Sequence, residues 1–263
     1  MATGKRWTRD ELLIALNLYH KLTFGQMDGR QPAIVTVAAK MGRGANSLAM
    51  KLCNLASLDP ALRLRGIKGL LGASRLDQVM WNEFHADLNE TVPRSEIAFR
   101  TLLHLNDSDR VEVTRKEGIR ILKGPKGATE SLATVKVRHG QDYFRQAVLS
   151  NFGGQCGVTG LGLRELLIAS HILPWGKHES ERLNVWNGLA LSRLHDAAFD
   201  SGLITFDADL RLRLSRRLKS HLPQRTVTEC FATYEGEPLQ LPKDSVLPDE
   251  SFLSAHRTTT FQK

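Results

Sequence analysis

The chain has 263 residues, enough for one large domain or two modest ones, and its 41% hydrophobic and 24% charged residues are those of an ordinary globular protein. Lysine and arginine (36) outnumber aspartate and glutamate (28), and the formal charge of +8 points to a polyanionic partner, nucleic acid ahead of an acidic membrane. No apolar run approaches the roughly 18 residues of a membrane span, nothing resembles a signal peptide, and Cys53, Cys156 and Cys230 are too few for a disulfide framework, so a cytoplasmic protein without a membrane partner is expected.

Residues 7–22, "WTRDELLIALNLYHKL", open with a helix start: Thr8 can cap and Glu11 can close a capping box. Leu12, Leu16 and Tyr19 then fall on one helical face. In "AIVTVAAKMGRGANSLAMKLCNLASLDP" two helices are expected on either side of Gly42-Arg43-Gly44. Leu48, Leu52 and Leu55 form the apolar face of the second, while Asn46, Lys51 and Asn54 lie on other faces. A helix pair with a short glycine-bearing turn is the outline of a helix-turn-helix, and Arg43, Asn46, Lys51 and Asn54 are its candidate DNA contacts. With the tryptophan-led first helix, this stretch resembles Myb-like and homeodomain-like three-helix domains; any small helical bundle offers similar helix pairs. A further helix, "SRLDQVMWNEFHADL", closes the domain through Leu76, Met80 and Phe84.

Residues 88–109 read as a boundary with one short helix around "SEIAFRTLLHL". The basic stretch after it holds Val111, Val113, Ile119 and Ile121 in strand-like alternation, as a linker or a small β element. The expected division is a helical DNA-recognition domain over 1–88, this linker or β element over 89–140, and a second domain over 141–263.

A helix is expected from Gln141 to Phe152, and residues 151–204 then read as one unit. "LLIASH" is a strand that delivers His171 to its end, just before Pro174 closes it. After a polar loop, Asn187-Gly188 reads as a turn into the strand "LALS", and "SRLHDAAFDSG" reads as a helix capped by Ser192 and stopped by Gly202. Strand, loop, strand, helix, with histidine, asparagine and histidine at those stations, is a ββα-metal arrangement. "LRLRLSRRLKS", residues 210–220, alternates like a strand; it pairs with "GLITF" and offers Arg211 and Arg213 to a DNA backbone or to solvent.

The segment resembles the HNH endonucleases, in particular a restriction-endonuclease-like subgroup whose core reads SHI-x-PW, NGL-x-L and H-x-x-FD-x-GLI. This chain has "SHILPW", "NGLALS" and "HDAAFDSGLI" in that order. The resemblance implies an α+β protein: a helix-turn-helix-like domain followed by a ββα-metal nuclease domain. It implies a restriction endonuclease that cuts double-stranded DNA with Mg²⁺ (or Mn²⁺) to leave 5′-phosphate and 3′-hydroxyl ends, working as a homodimer because one core cuts one strand.

By the same resemblance His171 is the general base, Asn187 braces its loop, and His195 is a metal ligand. Ser170 stands where many relatives have an acidic or histidine ligand, which leaves Asp200 and Asp196 as the nearest carboxylates for a second contact. Related proteins often carry two CxxC zinc pairs. Here the matching positions hold Cys156 and Thr159, then Ser192 and His195, so no structural Zn²⁺ is expected. A nuclease that cuts only modified DNA, and a non-catalytic DNA-binding protein on a decayed nuclease scaffold, are the alternatives.

Overall fold

Thr8 Oγ1 accepts from the Glu11 N–H at 3.2 Å and Glu11 Oε2 accepts from the Thr8 N–H at 2.9 Å, so α1 (Arg9–Tyr19) starts with the capping box written in its sequence. The structure is a computed structural model that describes residues 5–106, 108–123 and 132–263. Helices α2 (Pro32–Lys40) and α3 (Ala45–Ala56) follow on either side of a turn in which Gly42, at φ +65°, takes the left-handed conformation. Leu48, Leu52 and Leu55 of α3 are fully buried. The short α4 (Pro60–Leu64) leads to α5 (Arg75–Ala86), which a Ser74–Asp77 capping box begins and which buries Met80, Trp81 and Phe84.

Two of the expected DNA contacts are engaged inside this helical part. Lys51 is buried, and its Nζ donates to both carboxylate oxygens of Asp77 at 2.7 and 2.8 Å. Arg43 lies 4.0 Å over the Trp7 ring, pairs with Glu11 at 2.7 Å and donates to the carbonyls of Lys5 and Arg6 at 3.0 and 2.9 Å. Against the upward push of burial, hydrogen bonds from Arg43, Thr8 and Lys5 hold the Glu11 carboxyl down at about 2. The expected exposed face of α3 is therefore corrected: Asn46 is exposed and Asn54 half-buried, but Lys51 faces the core because a buried carboxylate awaits it.

The expected boundary at 88–109 is mostly one helix, α6 (Leu88–Leu102), which packs against α1, α5 and the later α7. Lys21 and Glu96 form a buried ion pair at 2.6 Å where α6 meets the end of α1, and Asn17 donates to the same carboxylate at 3.0 Å. A hairpin of β1 (Arg110–Thr114) and β2 (Gly118–Leu122) comes next, with Val111 opposite Ile121 and Val113 opposite Ile119. The stretch 124–131 of the expected basic linker lies outside the described residues.

Helix α7 (Leu132–Asn151) begins well before Gln141 and carries Phe144, Ala147 and Val148 under a second hairpin, β3 (Leu167–His171) with β4 (Gly188–Ser192). Helix α8 (Arg193–Asp200) follows at once, with the Ser192 side chain accepting from His195 N–H. Asn187-Gly188 is not the expected turn. Gly188 is extended, at φ −122°, and a Cβ there would come within 2.2 Å of Val148 Cγ2, so the glycine lets β4 lie against α7.

Beyond α8, Gly202 at φ +67° ends the helix and β5 (Ile204–Phe206) pairs with β6 (Leu212–Leu214). The strand expected over 210–220 stops at Leu214 because Ser215 caps the short α9 (Arg216–Lys219), accepting from Leu218 N–H at 3.1 Å. Helices α10 (Arg225–Cys230) and α11 (Glu250–Thr259) complete the chain. Buried side chains from Leu12 in α1 to Leu253 in α11 belong to one continuous apolar core.

Candidate active site

His171 is the last residue of β3, paired across the hairpin with Gly188. Its ring stacks on Phe144 of α7 at 3.9 Å with the planes 8° apart, and Trp175 meets it edge-on at 5.3 Å. Nε2 lies 2.9 Å from the Arg182 carbonyl oxygen, which has no proton to give; Nε2 therefore carries the N–H, and Nδ1 keeps its lone pair. Burial lowers the pKa of this imidazole, opposed by the Arg182 carbonyl and by the negative charge of Asp196. A cavity of about 330 Å³ opens at the ring, lined by Phe144, Ala169 and Trp175 among others.

Asn187 is fully buried where the loop between the strands returns. Its Oδ1 accepts from the Leu173 N–H at 2.7 Å, and its Nδ2 donates to the carbonyls of Glu181 at 3.0 Å and Leu173 at 3.3 Å. One side chain thus ties the start of the 172–187 loop to its end and sets the segment whose Arg182 carbonyl orients His171. Arg182 donates to the Trp175 carbonyl at 2.9 Å and pairs with Glu179 at 3.0 Å, which braces the same loop from outside.

His195 does not occupy the position of a free ligand. It is 2% exposed; Nδ1 accepts from Ser192 Oγ at 2.8 Å and Nε2 donates to the Cys230 carbonyl at 2.8 Å, so both nitrogens are engaged. The motif count explains this. In H-x-x-FD two residues separate the histidine from phenylalanine, and two residues before Phe199 end at Asp196, not His195. Asp196 holds the motif position, and its charge is the one that acts on His171. Asp200 follows one turn later on nearly the same helical face. Burial raises the Asp200 pKa, and the Asp196 charge raises it further.

Ser170 is buried, and its Oγ has no hydrogen-bond partner among the described residues. Among the described residues no group of three or more His, Cys, Asp or Glu stands together as a metal cluster. Asp196 and Asp200, one turn apart on α8, are oxygen donors of the kind taken by a hard divalent cation, which keeps much of its water and needs few protein ligands.

The positions named for a second zinc pair form a hydrogen-bonded link instead. The Ser192 N–H donates to Cys156 Sγ at 3.2 Å, and Ser192 passes through His195 to Cys230 in α10. Arg211 donates to the Gly236 carbonyl at 2.8 Å, and Arg213 pairs with Asp207 at 2.7 Å; both are exposed on the β5–β6 hairpin. The sequence offers Asp196 only as one of two nearby carboxylates, although the spacing of H-x-x-FD marks it directly, and no motif marks the contacts of Phe144 and Arg182 with His171.

No curated protein matches the chain. Residues 156–207 match the family model of the HNH endonucleases, a span that runs from Cys156 through β3, β4 and α8 to the turn after β5. The part of the chain that holds His171, Asn187 and Asp196 is similar to an HNH endonuclease domain.

Proposed function

We propose that the protein is a divalent-metal-dependent endonuclease that hydrolyses phosphodiesters of double-stranded DNA, leaves 5′-phosphate and 3′-hydroxyl ends, and serves in restriction. The observation that carries this reading is His171: an imidazole at a strand end, its pKa lowered by burial, with Nε2 held by a carbonyl, Nδ1 without a hydrogen-bond partner among the described residues, and the charge of Asp196 acting on the ring. Nδ1 takes the proton of the water that attacks phosphorus, and the 3′ oxygen leaves as the P–O bond breaks and takes a proton from solvent. The Arg182 carbonyl and the Asp196 charge stabilise the imidazolium that forms. Asn187 is a positioning residue, acting through the loop.

Asp196 and Asp200 are the residues that would hold Mg²⁺ or Mn²⁺, with the Ser170 hydroxyl as a further oxygen donor. Such a cation supplies charge relief to the phosphate and the departing oxygen when bound. A double-strand cut calls for two cores and therefore a homodimer.

A second reading has one observation in its favour. With both His195 nitrogens engaged, the domain lacks the histidine ligand expected of it, as a DNA-binding scaffold without catalysis would. Purified protein and His171→Ala are incubated with plasmid and phage DNA, modified and unmodified, with Mg²⁺ or with EDTA. Cutting that needs both the cation and His171 is the expected result, and cutting of modified DNA alone makes the enzyme modification-dependent. Binding without cutting by either protein overturns the nuclease in favour of the scaffold.

A further inference from the structure

The cavity at His171 shares part of its lining with a larger groove. Arg145 and Ile168 line both: the small cavity at the ring and an open trough of about 640 Å³ between the β1–β2 hairpin, α7 and the start of α8. Five guanidinium groups line the trough, from Arg110 and Arg120 on the hairpin, Arg145 on α7, Arg164 before β3 and Arg193 at the start of α8. Arg110 and Arg193 are exposed and have no ion pair among the described residues. Arg145 donates to the carbonyls of Leu167 at 2.9 Å and Arg164 at 3.3 Å, contacts that fix its fork without cancelling its charge.

Three carboxylates share the trough, Glu112, Asp142 and Glu165. Glu112 is taken up by Arg164 at 2.9 Å, with Arg120 at 3.9 Å, and the Asp142 pKa is raised, first by burial and then by Glu96. The lining keeps a positive excess. Burial lowers the pKa of Arg145, and the like charges of Arg164, Arg110 and Arg193 lower it further.

We propose that this trough carries the sugar-phosphate backbone of the strand being cut, with the β1–β2 hairpin as its outer wall, and that Arg110 and Arg193 hold the phosphates flanking the scissile one. The inference rests on the nuclease reading. It goes beyond it because the hairpin lies outside the HNH span and none of the cations expected from sequence to touch DNA lines the trough. A DNA strand carries one phosphate per roughly 3.4 Å of helix axis, so a phosphodiester placed at His171 brings its neighbours into whatever groove adjoins that ring. The adjoining groove here is lined by planar forks, which match phosphate oxygens in pairs.

The test uses the full-length protein and a fluorescein-labelled duplex of random sequence, titrated in EDTA at several salt concentrations so that binding is read without cutting. Arg110→Gln/Arg193→Gln is compared with Arg211→Gln/Arg213→Gln and with Arg110→Lys/Arg193→Lys. Removing two phosphate contacts lowers the slope of log K against log salt by about 2 and weakens binding about tenfold or more at moderate salt. The lysine pair keeps most of the slope, and the β5–β6 pair leaves it unchanged. Thermal melts of all variants match wild type, because these side chains are exposed. If wild type cuts DNA and the trough pair binds with an unchanged slope, this inference falls while the nuclease stands. A lowered slope in the β5–β6 pair instead moves the path to that hairpin and also overturns it. A wild type that neither binds nor cuts any duplex overturns both.

Discussion

The N-terminal helices and the surface beside the ββα unit carry the same cationic residue types and use them in opposite ways. In the helices, Arg43 is locked to Glu11 and stacked on Trp7, Lys51 to Asp77, and Lys21 to Glu96. Releasing any of these to a phosphate leaves a buried or half-buried carboxylate without its partner, which costs more than a surface contact returns. Beside the ββα unit, Arg110 and Arg193 are exposed and have no ion pair among the described residues, and Arg145, like Arg193, donates to carbonyls. Which cations are available to an anion is decided by where the carboxylates sit, and that is a property of the fold.

The same contrast runs inside the ββα unit between its two histidines, and it gives the largest expected effect. His171 has one nitrogen free; His195 has none. His171→Ala lowers single-turnover cleavage by about 10²- to 10⁴-fold while duplex binding in EDTA is retained. Asp196→Asn lowers cleavage to a similar degree and shifts the Mg²⁺ requirement upward. His195→Gln melts earlier but, assayed below its transition, cuts within a few-fold of wild type. Should His195→Gln abolish cation dependence while Asp196→Asn leaves it alone, the two residues must exchange roles.

Lys51→Met tests the helical side of the comparison. It leaves the Asp77 carboxylate, which is 0% exposed, without its cation, and the expected destabilisation is about 3–5 kcal/mol in urea or thermal unfolding. Lys51→Met/Asp77→Leu, which removes both charges but also the acceptor of the Ser74 N–H, recovers part of that loss. DNA affinity of the folded variants is unchanged; a lost salt slope in Lys51→Met would return the residue to the DNA interface. Gly188→Ala comes next in size. Its new Cβ meets Val148 at 2.2 Å, forces β4 and α7 apart, and costs about 1–3 kcal/mol.

How far the sequence could be read follows from how local each signal is. The Thr8–Glu11 box, the paired helices around Gly42, the Val111/Val113 alternation and the strand–loop–strand–helix order of 167–200 all depend on neighbours in sequence, and all appear in the structure. The places of His171 at the end of β3 and of Asn187 just before β4 were legible for the same reason. What was not legible depends on partners far away in the chain. Lys51 reads as exposed until Asp77 is packed against it, and nothing near His195 in sequence announces that Cys230, 35 residues later, accepts its N–H. Residues 88–102 read as a boundary because their apolar positions are few, yet Val92 and Phe99 are fully buried between α1 and α7. Gly188 has the sequence of a turn and the conformation of a strand because a helix lies behind it.

The smallest expected effect concerns pH and again sets the helical part against the ββα unit. His20, His85, His171, His195 and His256 all have pKa values lowered by burial. His20 lies well below its ordinary value of 6.5, lowered first by burial and then by the neighbouring His85; its Nε2 is buried without a hydrogen-bond partner among the described residues, and its ring stacks on Phe84. A histidine whose folded pKa lies below its unfolded value is neutral in both states above pH 6.5, where its contribution is complete. As pH falls below 6.5 the unfolded chain takes up the proton first and stability declines, by at most about 1.4 kcal/mol per pH unit for each such group. Urea midpoints should therefore fall between pH 7 and pH 5, and His20→Phe, which keeps the aromatic contacts with Trp81 and Phe84, should make that fall shallower. Cleavage follows a different limb: His171 must lose a proton to act as base, so the rate rises with pH and levels off below the ordinary histidine value. Since His20→Phe removes a proton site in the helices and leaves His171 intact, it changes the stability profile and not the rate profile; a shift in both would couple the two regions electrostatically, and a flat stability profile in wild type would show that these histidines are not buried neutral.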